Sequence, residues 1–213
     1  MEAGLKTQFW DRRARVNLAL YRSRYSDMQI DFVASTGGNR TTAETANAPG
    51  HSTIKGVEID AALNPVRGLT LSAAYAYTHM HLPPAPNPFN NNQVQTVYII
   101  STPSHAGSGA IDYEVPLTSV TLRAHLDAAV SGGYRSSASE PTLTDKMFVV
   151  NGRLALSEID LGREAGLEVA LWARNLLNEQ HVFYRSRGSY RFIGTYGIFN
   201  EPRTWGVDAT IRF

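Results

Sequence analysis

A chain of 213 residues with 20 basic and 19 acidic side chains suits one domain with a sizeable core and has no charge excess to recruit nucleic acid. It contains no cysteine, which excludes a disulfide framework and thiolate metal sites. No run approaches the ~18 apolar residues of a transmembrane helix, and residues 1–10 hold no apolar secretion signal.

By themselves these figures suggest a soluble cytoplasmic protein, but a membrane β-barrel would look the same because its hydrophobicity is carried by alternation. Period two dominates here, and successive side chains of a strand point to opposite faces. Weak alternation predicts strands over residues 2–9 and 16–30. Val57, Ile59, Ala61 and Leu63 then alternate with Glu58, Asp60 and Ala62. Leu69, Leu71, Ala73, Tyr75 and Tyr77 oppose Thr70, Ser72, Ala74, Ala76 and Thr78. A weaker strand follows over 103–114. Val120, Leu122, Ala124, Leu126, Ala128 and Val130 alternate with Thr121, Arg123, His125 and Asp127. After a weak strand at 145–156, Leu167, Val169, Leu171 and Ala173 oppose Glu168, Ala170, Trp172 and Arg174. In the last stretch Trp205, Val207, Ala209, Ile211 and Phe213 share one face, against Thr204, Gly206, Asp208, Thr210 and Arg212. The predicted fold class is all-β: about nine antiparallel strands, most near the ~9–11 residues that cross a membrane in a tilted barrel.

The connections keep the same rhythm. Residues 10–13, 64–68, 115–119 and 157–165 are short links, whereas 35–50, 81–102, 131–144 and 178–202 are long and polar. Connections beyond about 12–15 residues are uncommon in compact domains unless they are functional or disordered. Here every second one is long, as in barrels with short turns at one end and long loops at the other. Tyr75, Tyr77, Trp205 and Phe213 sit near strand ends, where interfacial aromatics belong. The polar faces alone would also suit a soluble β-sandwich or a surface-binding module without transport. One segment resists the pattern: continuing the face of Val16, Leu18 and Leu20 places Arg22 and Arg24 toward lipid. Either these arginines lie above the bilayer or a bulge reverses the register.

No catalytic constellation is visible, and no enzyme activity is expected. Ser104-His105 lacks an acid partner in a recognisable frame. His79 and His81 share a face without a third metal ligand, and His125 reads as part of a polar ladder between Arg123 and Asp127. The four prolines at 83, 84, 86 and 88 mark a stiff exposed loop. The richest candidate is the loop 178–202. There Tyr184, Tyr190 and Phe192 interleave with Arg185, Arg187 and Arg191, a composition able to stack on and neutralise an anionic, ring-containing ligand. The same aromatics could instead pack into a hairpin extension of the loop itself.

Three stretches resemble the C-terminal part of the β-barrel of TonB-dependent outer-membrane receptors. Leu171-Trp172-Ala173-Arg174-Asn175-Leu176-Leu177-Asn178 is similar to that family's penultimate strand and its Asn-Leu-Phe-Asp/Asn signature, with Leu177 in place of Phe. Glu201-Pro202-Arg203-Thr204-Trp205-Gly206-Val207 resembles the lead-in to its final strand, and Ile211-Arg212-Phe213 its aromatic C-terminus. Looser likenesses occur at Glu2-Ala3-Gly4-Leu5-Lys6, Ile54-Lys55-Gly56-Val57-Glu58 and Pro103-Ser104-His105.

The resemblance implies a barrel of about 22 strands with a plugged lumen, of which residues 1–213 would be the C-terminal portion. The family's plug domain, energy-coupling segment and signal are not found in these residues, and a truncated sequence is the expectation. The implied function is energy-dependent uptake of a scarce nutrient, typically a ferric siderophore, across a Gram-negative outer membrane. The long loops would lie outside and the short turns in the periplasm, with no cofactor. Implied partners are outer-membrane lipid, the plug and remaining strands, and the TonB complex acting through the missing N-terminal part. The barrel-assembly machinery would read Trp205, Val207, Ala209, Ile211 and Phe213.

Overall fold

The computed structural model describes every residue except 38–39, 137, 139–140, 163–164 and 187–193, and all regular structure among the described residues is strand. In chain order, β1 (Glu2–Phe9), β2 (Ala14–Ser26), β3 (Gln29–Gly37), β4 (Arg40–Asn47) and β5 (His51–Leu63) come first. β6 (Leu69–His81), β7 (Ala85–Asn87), β8 (Gln93–Gln95), β9 (His105–Pro116) and β10 (Thr121–Ser131) follow. β11 (Met147–Asp160), β12 (Gly166–Arg174), β13 (Val182–Ser186), β14 (Tyr196–Phe199) and β15 (Thr204–Arg212) complete the order.

The nine long strands form one antiparallel sheet in the order β1-β2-β5-β6-β9-β10-β11-β12-β15, so each wall strand pairs with the next in the chain. The nine strands read from alternation are these nine. The remaining six make three hairpins, β3-β4, β7-β8 and β13-β14, all within long connections. The sheet is open: β1 and β15 are its edges and do not pair with each other.

Register carries the two-faced pattern across the sheet. Leu5 pairs with Leu18, Leu18 with Ile59 and Ile59 with Tyr75. On the far side Leu154 pairs with Leu171, and Leu171 with Val207. These residues make an outer face that is apolar and open, with Leu171 53% and Val207 64% exposed. Among the described residues no second sheet covers it, which is the layer a soluble sandwich would need. The buried apolar side chains of the wall are few and small, namely Ala14, Val150, Ala155 and Ala170. A wall without a core of its own suits an apolar solvent on one side.

Several strand bounds differ from the sequence reading, β5 for one beginning at His51. The strand expected over 16–30 ends at Ser26, because Asp27 takes a left-handed conformation (φ 51°) and turns the chain into the β3-β4 hairpin. Ile30 therefore leaves the wall and is buried in a loop cluster. The pairing of β2 with β5 is unbroken from Ala14–Leu63 to Ser26–His51, so no bulge reverses the register. Arg22 and Arg24 stay on the outer face, at the long-loop end. A register shift does occur between Leu156 and Ile159 of β11, where Glu158 is left-handed (φ 61°).

The short turns gather at the opposite end, and one glycine there is dictated by space. Gly68 has φ 81°, and a Cβ on it would lie 2.1 Å from the Glu114 carbonyl oxygen. Glu114 N donates to Gly68 O at 2.8 Å, locking the turn against β9.

Candidate binding site: the loop crown and the inner wall

The long connections do not wave independently; they build a crown with its own interior. Ile30, Phe32, Ala48, Ala85 and Val97 form a buried cluster, with Ala46, Leu82 and Ala138 packed against it. These residues come from the connections 27–50, 82–104 and 132–146, which are thereby joined. The second and third are also tied by backbone: Tyr98 N donates to Ala138 O (3.1 Å) and Ser101 N to Arg135 O (2.8 Å). The Arg135 guanidinium sits 4.1 Å from the centre of the Tyr98 ring, a cation–π contact.

The fourth connection, 175–203, docks on the third through polar groups. Tyr134 Oη donates to Phe183 O at 2.7 Å, and Arg185 N donates to Ser136 Oγ at 2.9 Å. The Ser136 hydroxyl returns a bond to Arg185 O. Asp145 accepts from Val182 N (2.9 Å) through one oxygen and from Arg185 Nη2 (2.7 Å) through the other. That backbone donor, with Arg185 second, holds the Asp145 carboxyl below the usual carboxylate range.

The base of this loop is closed by the Asn-Leu-Leu-Asn segment that follows β12. Asn175 and Asn178 are left-handed (φ 49° and 53°), a conformation that asparagine tolerates better than most residues. The Asn175 amide donates to Glu179 O (2.8 Å) and Glu201 O (3.0 Å), while its own oxygen accepts from Glu179 N (2.8 Å). Asn178 Oδ1 accepts from Arg203 N at 3.0 Å. The two ends of the loop are thus clasped together just where β15 begins.

The inner face of the wall is a charge-rich concavity. Glu168 lies 2.6 Å from Arg153 and 3.5 Å from Arg123, which also reaches Glu114 at 3.1 Å and Glu158 at 3.7 Å. His125 presents Nδ1 to Asp112 (2.6 Å) and Nε2 to Asp127 (3.2 Å), and Asp127 in turn accepts from Asn151 at 2.8 Å. The polar ladder expected around His125 is therefore present, with cross-strand Asp112 as an additional partner. Trp172 packs against the backbone of Gly206, where a Cβ would fall 2.5 Å from the indole, and donates to Asp208 at 3.1 Å. Arg67, Asp112, Arg123, His125 and Arg153 border a hollow of about 840 Å³ at the short-turn end of this face.

Of the residues singled out in the last long loop, Tyr184 and Arg185 fall on β13, and their loop does fold as a hairpin. The Tyr184 ring lies 6.4 Å from that of Tyr196. Arg185 is engaged by Asp145, so it serves the crown's architecture whatever else it contacts. Arg187, Tyr190, Arg191 and Phe192 lie outside the described residues. His79 and His81 share the outer face at the end of β6, paired with Lys55 and Thr53. Trp205, Val207, Ala209 and Ile211 line the outer face of β15 through their pairing with Ala173, Leu171, Val169 and Leu167. Phe213 follows that strand at the short-turn end. The docking residues Tyr134, Ser136 and Asp145 carried no signal in the sequence, since nothing in one loop's composition names its neighbour in space.

A sequentially ordered antiparallel sheet, apolar outside, charged inside and crowned with loops at one end, is the wall of a large β-barrel. The chain belongs to the TonB-dependent receptor-like β-barrel family, whose model matches residues 1–176. Solved structures agree on the fold. The ferric yersiniabactin uptake receptor FyuA of Yersinia pestis superposes with a TM-score of 0.72 at 15% identity, over 100% of this chain and 30% of its own. The ferric-catecholate import receptor Fiu of Escherichia coli K12 gives 0.65 at 19% identity, over 99% of this chain and 26% of its own. The siderophore receptor PiuA of Acinetobacter baumannii gives 0.65 at 17%, over 99% and 27%. The chain thus spans less than a third of the length of each of these proteins.

Proposed function

We propose that this chain is wall and loop crown of an outer-membrane receptor for active uptake of a scarce nutrient of the ferric siderophore class. The supporting observation is the combination in one sheet of a lipid-compatible outer face, a charged inner face and a crown of interlocked loops at a single end. The three solved proteins it resembles in fold are a ferric yersiniabactin uptake receptor, a ferric-catecholate import receptor and a siderophore receptor, which favours that class among the nutrients a plugged barrel could admit.

In this reading residues 1–213 contribute about nine strands to a barrel of about 22, and β1 and β15 pair with further strands of the complete receptor. A plug domain would rest on the inner face and would answer to TonB, while the β15 side chains from Trp205 to Ile211, with Phe213, would be read by the assembly machinery. The long-loop end faces outside and the short turns face the periplasm. The chain's work is binding and gating; no bond chemistry is assigned to it. In the crown, Tyr184 and Arg185 would meet the ligand together with Arg187, Tyr190, Arg191 and Phe192. Aromatic faces and guanidinium groups suit a bulky anionic chelate.

The test is expression of the complete receptor gene in an iron-starved host stripped of its own siderophore receptors. Iron uptake is then measured with a panel of ferric siderophores, with and without an uncoupler. The expected result is uptake of at least one chelate, abolished by the uncoupler and reduced by replacing residues 184–192 with a Gly-Ser linker. Receptor that reaches the outer membrane but moves no ferric chelate would overturn the assignment to this class.

A further inference from the structure

Register sorts every residue of the nine wall strands onto one face or the other, and the two faces differ in more than hydropathy. The inner face carries acids and bases in numbers. On the outer face the charged residues are Arg22, Arg24 and Lys55, and all of them are cations. They are neighbours: Arg22 on β2 pairs with Lys55 on β5, and Arg24 pairs with Thr53. Lys55 pairs in turn with His79 on β6, and Thr53 with His81. No acid shares the outer face of β2, β5 or β6. None of the ion pairs among the described residues involves Arg22, Arg24 or Lys55, and all three are exposed.

The position is as telling as the charge. On β2 the outward series is Ala14, Val16, Leu18, Leu20 and then Arg22; on β5 it is Leu63, Ala61, Ile59, Val57 and then Lys55. On β6 it is Leu69, Leu71, Ala73, Tyr75, Tyr77 and then His79. All three strands change from apolar to basic at one register row. Below that row Ala3, Leu20, Val57 and Tyr77, with Met1 and Glu2 of the β1 end, line a shallow groove of about 490 Å³ that Arg22 and Lys55 also border. Paired strands lie ~4.8 Å apart and alternate residues ~6.7 Å apart along a strand. The cations can therefore bracket one or two phosphates while an acyl chain lies in the groove.

We propose that this patch binds a phosphate-bearing acylated lipid of the outer leaflet, its phosphates held by Arg22, Arg24 and Lys55. The inference rests on the proposed membrane orientation, with the long-loop end outward. At the opposite rim of the outer face the described wall strands present Phe9, Tyr113, Val115 and Leu156 and no cation, so the patch belongs to one end of the wall.

The intact receptor carrying this wall is inserted into phosphatidylcholine vesicles doped with a labelled bisphosphorylated diglucosamine lipid, or with its dephosphorylated form. Labelled lipid retained through mild detergent extraction is then measured. Wild type should retain the phosphorylated lipid, and the triple variant R22Q/R24Q/K55Q at least about tenfold less, each cation near a charged surface contributing attraction. The variant R22K/R24K, which keeps charge, should retain most of it. Equal retention by the triple variant, equal retention of the dephosphorylated lipid, or displacement by inorganic phosphate would each overturn the proposal. Lipid retention with failed iron uptake would sink the uptake assignment alone. Failure to insert into pure phosphatidylcholine would sink the membrane orientation and this site together.

Discussion

The wall and the crown of this molecule are stabilised by opposite means. The wall has one layer, no large buried side chain and an outer face whose apolar residues are bare. The crown, made of what would ordinarily be loops, owns the buried apolar cluster of Ile30, Phe32, Ala48, Ala85 and Val97. A water-soluble protein reverses this arrangement, with a packed centre and loose connections. Here the bilayer is expected to supply the burial that the wall lacks, and the connections in water must supply their own.

That contrast can be broken at either end. Phe32→Ala should cost the crown about 3–5 kcal/mol and leave the wall intact. Limited proteolysis would cut 27–50 while heat-modifiable gel mobility stayed unchanged; loss of the folded band would mean that the wall leans on the crown. Leu171→Arg should do the reverse, costing about 2–4 kcal/mol if it lies near the bilayer midplane. It should be read as lost membrane assembly with the crown's protection pattern preserved in what does assemble. Asn175→Ala should loosen the base of the last loop by about 1–3 kcal/mol, because Glu179 N and two carbonyls lose their partner. Faster amide exchange at Glu179 and Arg203 would report it, and unchanged exchange would remove the clasp from the account.

A smaller effect should follow pH. The Asp145 carboxyl titrates below its ordinary range in the folded crown, so its contribution to docking is fully present above the unfolded carboxylate pKa. It is lost only as pH falls through the depressed folded value. Amide exchange at Val182 and Arg185 should stay slow from neutral pH down to the carboxylate range and rise in stronger acid. Asp145→Asn should remove that acid step. A rise at neutral pH in wild type would contradict the ion pair. Finally, Val207→Cys and Asp208→Cys should differ in label access: a water-soluble thiol reagent should reach the inward position 208 and spare 207. Free labelling of 207 would defeat the lipid-facing assignment.

The wall was legible in the sequence because alternation is a local property. Leu69 to Tyr77, Leu122 to Val130 and Trp205 to Ile211 each declare a strand without reference to any partner, and the sequential order then follows from short turns such as the one at Gly68. The crown was not legible. Phe32 and Val97 meet across connections whose residues are polar on average, and β3 began inside what read as the end of one long strand. Asp27 ended that strand by a backbone turn that alternation does not register. Arg22 and Arg24 left two placements open, and only the unbroken pairing with β5 decided between them. Tyr184 and Arg185 were singled out by composition, yet the partner that positions Arg185, Asp145, lies 40 residues away.

The consecutive pairing of the wall strands has a consequence for how such a protein can change over generations. Each strand needs only its two neighbours in the chain, and each long connection begins and ends at adjacent strands. Doubling the length of such a connection costs only about 0.6 kcal/mol of closure entropy. A lineage can therefore rewrite, lengthen or exchange one crown segment at a time while inheriting the cylinder unaltered. What the crown presents and how the wall is built can evolve on separate schedules.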